Sequence, residues 1–125
     1  MNIILSNTSG NPIYEQIAEQ IKALIISGQL APDAPLPSMR LLAKELRVSL
    51  ITTKRAYEEL ERDGYIRTVT GKGSFVSGLN SDLIRDEQLR LIEEQLRGAI
   101  GRARLNGLSL TELQEMLSLL YEEEP

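Results

Sequence analysis

Apolar residues recur every third or fourth position over several stretches of this chain, and helix-starting and helix-stopping residues bound those stretches. Ile13, Ile17, Ile21, Leu24 and Ile25 predict a first amphipathic helix over 12–27. Asn11 is placed to cap it, Pro12 suits the first helical position, and Gly28 falls where a left-handed exit residue is expected. Residues 1–10 ahead of it read as an exposed leader, with Ile3-Ile4-Leu5 as a local packing cluster. Residues 29–37 hold Pro32, Pro35 and Pro37 and read as an ordered loop. Ser38 caps a second, two-turn helix that ends near Arg47, with Leu41, Leu42, Ala43 and Leu46 as its apolar face. Ser49 caps a third that runs to about Asp63, with Thr53, Ala56, Tyr57 and Leu60 facing the core, and Gly64 stops it.

The period then changes. Tyr65–Val69 and Ser74–Ser77 are rich in β-forming residues and flank Thr70-Gly71-Lys72-Gly73, which reads as a hairpin. Beyond it the chain is helical again. Leu89, Ile92, Leu96, Ala99 and Ala103 advance by threes and fours, Asn106-Gly107 breaks the helix, and Ser109-x-x-Glu112 is a capping box. The last helix presents Leu110, Leu113, Leu117 and Leu120. The fold class is therefore mostly α with a small β-hairpin.

Composition narrows the function. With no cysteine and no histidine, disulfides and cysteine-containing zinc sites are excluded, as are the commonest general base and metal ligand. No paired-carboxylate site or phosphate loop is evident, so no enzyme, catalytic residue, metal or cofactor is expected. The N-terminus lacks the pattern of a secretory signal, and no apolar run approaches the roughly 20 residues of a membrane span. A soluble cytoplasmic protein without membrane contact is the expectation. The net charge of −4 is uneven. Residues 1–78 carry nine Lys or Arg against eight Asp or Glu, and residues 79–125 carry five against ten. A nucleic-acid binder needs a local basic patch, not a basic chain, so the acidic total does not exclude one. Glu122-Glu123-Glu124 reads as a solvated end.

Long helix, short helix, tight turn, helix and hairpin is the order of a winged helix-turn-helix, in which the later short helix lies in the major groove. The residues sharpen this. Leu36-Pro37-Ser38-Met39-Arg40, Leu42-Ala43, Val48-Ser49, Ala56-Tyr57-x-x-Leu60, Gly64-Tyr65-Ile66 and Gly71-x-Gly73-x-Phe75-Val76 resemble the N-terminal domain of GntR-type transcription regulators over about residues 10–77. The short helical tail resembles the YtrA-like subgroup, which implies a two-helix dimerisation segment and no large effector domain. The resemblance further implies a repressor, often of transporter genes. The expected organisation is a winged helix-turn-helix over 1–78 and a helical dimerisation tail over 79–125. Two departures stand out. Pro32-Asp33-Ala34-Pro35 replaces the family's usual Pro-Gly, and Leu50 stands where the family often has arginine. Arginine is the usual bidentate partner of guanine, so operator preferences of other members do not carry over.

Arg40 matches a DNA-contacting arginine of the family; otherwise it is a solvated side chain. Ser38 caps its helix and is placed to touch phosphate, which helix N-termini favour. Leu50 and Ile51 open the reading helix. Helical phase puts Ile51 opposite Ala56 and Tyr57, so it faces either a thymine methyl or the local turn. Ser49 stands at the same DNA-binding edge; Thr52 (to a phosphate or base edge), Lys54 (to a phosphate) and outward-facing Arg55 are read as DNA contacts or else as a solvated face, while Thr53 packs inward. Gly71 and Gly73 satisfy turn geometry and allow close phosphate approach, with Lys72 between them as the wing contact. Tyr57, Tyr65 and Phe75 read as core aromatics. In the tail, Leu89, Ile92, Leu96, Ala99, Ala103, Leu113, Leu117 and Leu120 form either an intramolecular pair or a homodimer interface. Two helices alone do not cover such wide faces, which favours the dimer. Gly98 and Gly101 point to close helix approach or a kink. The expected partners are double-stranded operator DNA and a second copy of the chain. No sequence signal marks an effector. The competing reading is a winged helix used only for protein interaction, which would not need a basic face.

Overall fold

The computed structural model describes residues 1–78 and 81–123, with only the backbone of Ser81 and Leu83. Residues 79–80 of the expected tail, and Glu124 of its acidic end, lie outside the described residues. Five helices and one antiparallel hairpin follow in order: α1 Ile13–Ile26, α2 Met39–Leu46, α3 Leu50–Arg62, β1 Ile66–Val69, β2 Gly73–Val76, α4 Ser81–Leu105 and α5 Leu110–Glu122. The chain divides into two compact units, Met1–Ile84 and a second beginning at Arg85. The first unit extends beyond residue 78 because Ile84, in the first turn of α4, is buried in its core.

That core is built by α1 and α3. Ile17, Ala18 and Ile21 are buried on one side, and Ala56, Tyr57 and Leu60 on the other. Ile66 and Val76 close it from the hairpin, where they are direct cross-strand partners. Alternation along the strands puts Arg67 and Phe75, also partners, on the other face. Phe75 is therefore half-buried under the Arg67 guanidinium, 5.5 Å from its ring centroid, and is not the core aromatic expected. Tyr57 and Tyr65 are core residues. The Tyr57 hydroxyl donates to the Pro37 carbonyl at 2.7 Å, tying α3 to the proline loop, and burial raises its pKa.

The start of α1 differs from expectation. Pro12 is the N-cap and no side chain caps the helix; the Asn11 carbonyl instead accepts from Gln16 Nε2. The leader is docked. Gln20 pairs with both backbone groups of Ile4, and Gln16 with both of Ser6, through amide side chains that act like a neighbouring strand. Ile3 is thereby turned into the core and Leu5 against it, while Ile4 stays exposed. Leu41 is also exposed, because it lies roughly opposite Leu42, Ala43 and Leu46 on α2.

The loop before α2 acts as a third strand. Asp33 N–H donates to the Val76 carbonyl, Leu36 N–H to that of Ser74, and Val76 N–H to that of Ala34. Asp33 has φ +66°, a left-handed conformation, at the position where the family resemblance expects glycine. Its carboxylate accepts from Arg67 Nη1 at 2.9 Å, so the departure brings its own partner.

The turn between α2 and α3 sets the angle of the reading helix. Arg47 adopts φ 57°, ψ 46°, and Val48 N–H reaches back to the Ala43 carbonyl, as in a Schellman closure. A non-glycine residue in this region costs about 1 kcal/mol. Arg47→Gly is expected to raise stability by about 0.5 kcal/mol, since part of the gain is lost to the freer unfolded chain. It should also weaken DNA binding, because a cation is removed. A thermal melt of the variant checks the first effect; a lower melting temperature would show that the turn is unstrained.

Candidate nucleic-acid interface

α3 begins with a self-contained cap. Ser49 Oγ accepts from Thr52 N–H at 3.2 Å and lies 2.9 Å from the Thr52 hydroxyl. Thr53 is fully buried, and its hydroxyl donates to the carbonyls of Met39 and Leu50. This locks α3 against the start of α2 and turns the preceding residues outward. Ile51 is 78% exposed, and Leu50 37%. Ser38 caps α2 in the same manner, accepting from Leu41 N–H at 3.1 Å.

Apart from Arg55, the cations of this unit divide into two groups. Lys22 pairs with Asp63 at 3.1 Å, Arg62 with Glu59, and Arg67 with Asp33. Among the described residues, Arg40, Lys44, Arg47, Lys54 and Lys72 form no ion pair. All five are exposed. Arg40, Lys44 and Arg47 follow one another at helical spacing along α2 and its exit. Lys54 is a turn beyond Ile51 on α3, and Lys72 is at the wing tip. The acids of α3 (Glu58, Glu59 and Glu61) are confined to its C-terminal half, and its first turn has none. The protein-interaction reading does not require these exposed, unpaired cations on α2, α3 and the wing.

Arg55 faces outward as expected, with a neighbour that helical phase does not indicate. It is exposed, but its guanidinium lies over the Tyr14 ring of α1, 3.9 Å from the centroid. In the wing, Lys72 N–H donates to the Val69 carbonyl, with Gly71 at φ +79° as in a type II turn and Gly73 at φ +111°. Both glycines hold positive φ, and an added Cβ at either would meet nothing within 4 Å. Backbone conformation therefore explains them, and the surface around them is open.

In the second unit, Gly107 at φ +72° and the Ser109–Glu112 capping box end α4 and start α5 as expected. Leu96, Ala99, Ala103, Leu113, Leu117 and Leu120 line an open apolar groove of about 620 Å³. Ile100, Leu108 and Met116, missed in the sequence reading, line it too; Ile100 follows Leu96 by four residues and was legible as such. Leu89 and Ile92 lie outside the groove but are about half exposed. Ala103 is buried already, beneath the turn where Leu108 N–H donates to its carbonyl. Beyond their sequence neighbours and the backbone of their own helix, no described residue lies within 4 Å of where a Cβ on Gly98 or Gly101 would stand, so packing among the described residues does not require them. No helix among the described residues is long and apolar enough to cross a membrane.

A short helix, a tight turn, a reading helix with an acid-free first turn, and a wing tipped by Lys72 define a winged-helix, DNA-binding transcription regulator. Residues 13–76 match the family of bacterial regulatory proteins, gntR family, and the chain belongs to it. It is 38% identical to the HTH-type transcriptional repressor YtrA of Bacillus subtilis over 87% of this chain and 84% of that one. A transcriptional regulator from Oenococcus oeni has a similar structure, with TM-score 0.78 and 27% identity, covering 94% of this chain and 97% of the other. The AraR DNA-binding domain, solved in complex with operator ORE1, aligns with TM-score 0.53 and 30% identity over 62% of this chain and 94% of that one.

Proposed function

We propose that the chain is a cytoplasmic homodimeric repressor that binds an inverted-repeat operator, one α3 entering the major groove at each half-site. The observation that carries the dimer is the uncovered apolar face of the second unit. α5 has no buried residue, and Leu96, Leu117 and Leu120, which line the groove, are all at least 44% exposed. An apolar surface of this kind marks an interface. Repression is supported by the name of the Bacillus subtilis relative. Transporter genes as targets rest on the subgroup resemblance alone.

Within each half-site, Ser38 and Ser49 hold the N-termini of α2 and α3 toward phosphates. Arg40 and Lys54 neutralise phosphates, Thr52 and Ile51 stand at the base edges, and Arg55 braces α1 through Tyr14. Gly71, Lys72 and Gly73 bring the wing to the adjacent backbone. Selection from a random duplex library tests this. Enriched sequences should contain two inverted half-sites about 10 base pairs apart centre to centre, or a multiple of that. Lys72→Ala should weaken enriched and scrambled duplexes by the same factor. A single unrepeated site would contradict the dimer.

A further inference from the structure

We propose that this protein reads thymine methyl groups through Leu50 and Ile51, so that each operator half-site is specified by thymines where a reading arginine would demand guanine. The inference rests on the DNA-binding reading and names the base chemistry of the same site.

The hydroxyls at the tip of α3 are bonded to each other, which leaves a single hydroxyl hydrogen between them for a base edge. Ser49 Oγ and Thr52 Oγ1 lie 2.9 Å apart, and Ser49 also caps the Thr52 N–H. The Thr53 hydroxyl is spent on two backbone carbonyls inside the fold. Guanine is read by a guanidinium fork on O6 and N7. The first arginine of α3 is Arg55, and its guanidinium is stacked on Tyr14 at 3.9 Å. Arg40 belongs to α2, the helix that crosses the DNA backbone. What α3 presents at its leading edge is two adjacent apolar side chains, one of them 78% exposed, with unpaired Lys54 a turn behind. The surrounding cations suit a phosphate-lined groove and not an apolar protein partner. Among the bases, thymine alone offers an apolar group in the major groove, its C5 methyl.

Deoxyuridine isolates that methyl, since it retains every pairing and hydrogen-bonding group of thymine. The probe is the duplex enriched by the wild-type protein, with half-site thymines replaced one at a time. Wild-type affinity should fall about fourfold at each thymine whose methyl is read. Ile51→Ala, whose fold circular dichroism will check, should bind the thymine duplex about fourfold more weakly and be indifferent to uracil at the Ile51 position. Leu50→Arg should shift the selected half-site toward guanine. Unchanged affinity for every uracil duplex, or enriched half-sites with guanine and no thymine at the read positions, would overturn the proposal while leaving DNA binding intact. If the wild type enriches no sequence at all, the DNA reading fails and this proposal fails with it.

Discussion

Leu96→Glu combined with Leu117→Glu is expected to convert the protein to a monomer and to weaken operator binding by roughly 10²–10⁴-fold. Both leucines line the groove of the second unit and are 44% and 52% exposed there. Neither is needed to fold the chain by itself, because α5 buries no residue and the core of the first unit lies elsewhere. Carboxylates at those positions remain solvated in a monomer but would be desolvated at a dimer interface, at a cost of several kcal/mol each. The affinity loss follows from linkage: once the first half-site is held, the second reading helix is presented at a high effective concentration, and a monomer loses that gain. Sedimentation should give 14.0 kDa for the variant and twice that for the wild type, with unchanged helicity. A variant that remains a dimer would move the interface away from the groove.

Salt should act at least as strongly. Arg40, Lys44, Arg47, Lys54 and Lys72 form no ion pair, so a dimer offers ten such cations to phosphate besides the two Arg55 side chains stacked on Tyr14. Each phosphate neutralised releases counterion and contributes a slope of about −0.9 in log affinity against log salt. With six to ten contacts made, affinity falls by roughly 10³–10⁵ between about 50 and 200 mM salt. The chain's net charge of −4 is uneven, with the acidic excess in residues 79–125 and a small basic excess in residues 1–78. Lys54→Ala and Lys72→Ala should each reduce the slope by about one per protomer. A slope near zero would mean that these side chains do not meet phosphate.

Local rules made most of the first unit, and the turn between α4 and α5, legible. The Ser38, Ser49 and Ser109 caps form the hydrogen bonds their spacing implied. Thr53 packs inward because it shares the phase of Ala56, Tyr57 and Leu60. The misreadings arose where a residue's role depends on a distant neighbour. The docking of residues 3–6 depends on Gln16 and Gln20, which carry no apolar signal. Phe75 looked like core by type, but its register opposite Arg67 puts it on the outer face. Arg55 is outward, as helical phase implied, and what the fold adds is Tyr14 of α1 under its guanidinium. Asp33 in a left-handed position was visible only as a departure from Pro-Gly; its ion pair with Arg67 needs the fold. In the tail, periodicity located the apolar face, whereas which residues share one groove depends on the turn at Gly107.

The most direct measurement is native mass spectrometry of the protein with the selected duplex, alongside the same duplex with one half-site scrambled. The expected result is two chains per intact duplex with no populated one-chain complex, and a large loss of binding on the scrambled half-site. One chain per duplex, held equally well by both DNAs, would contradict the pairing of two reading helices on one operator.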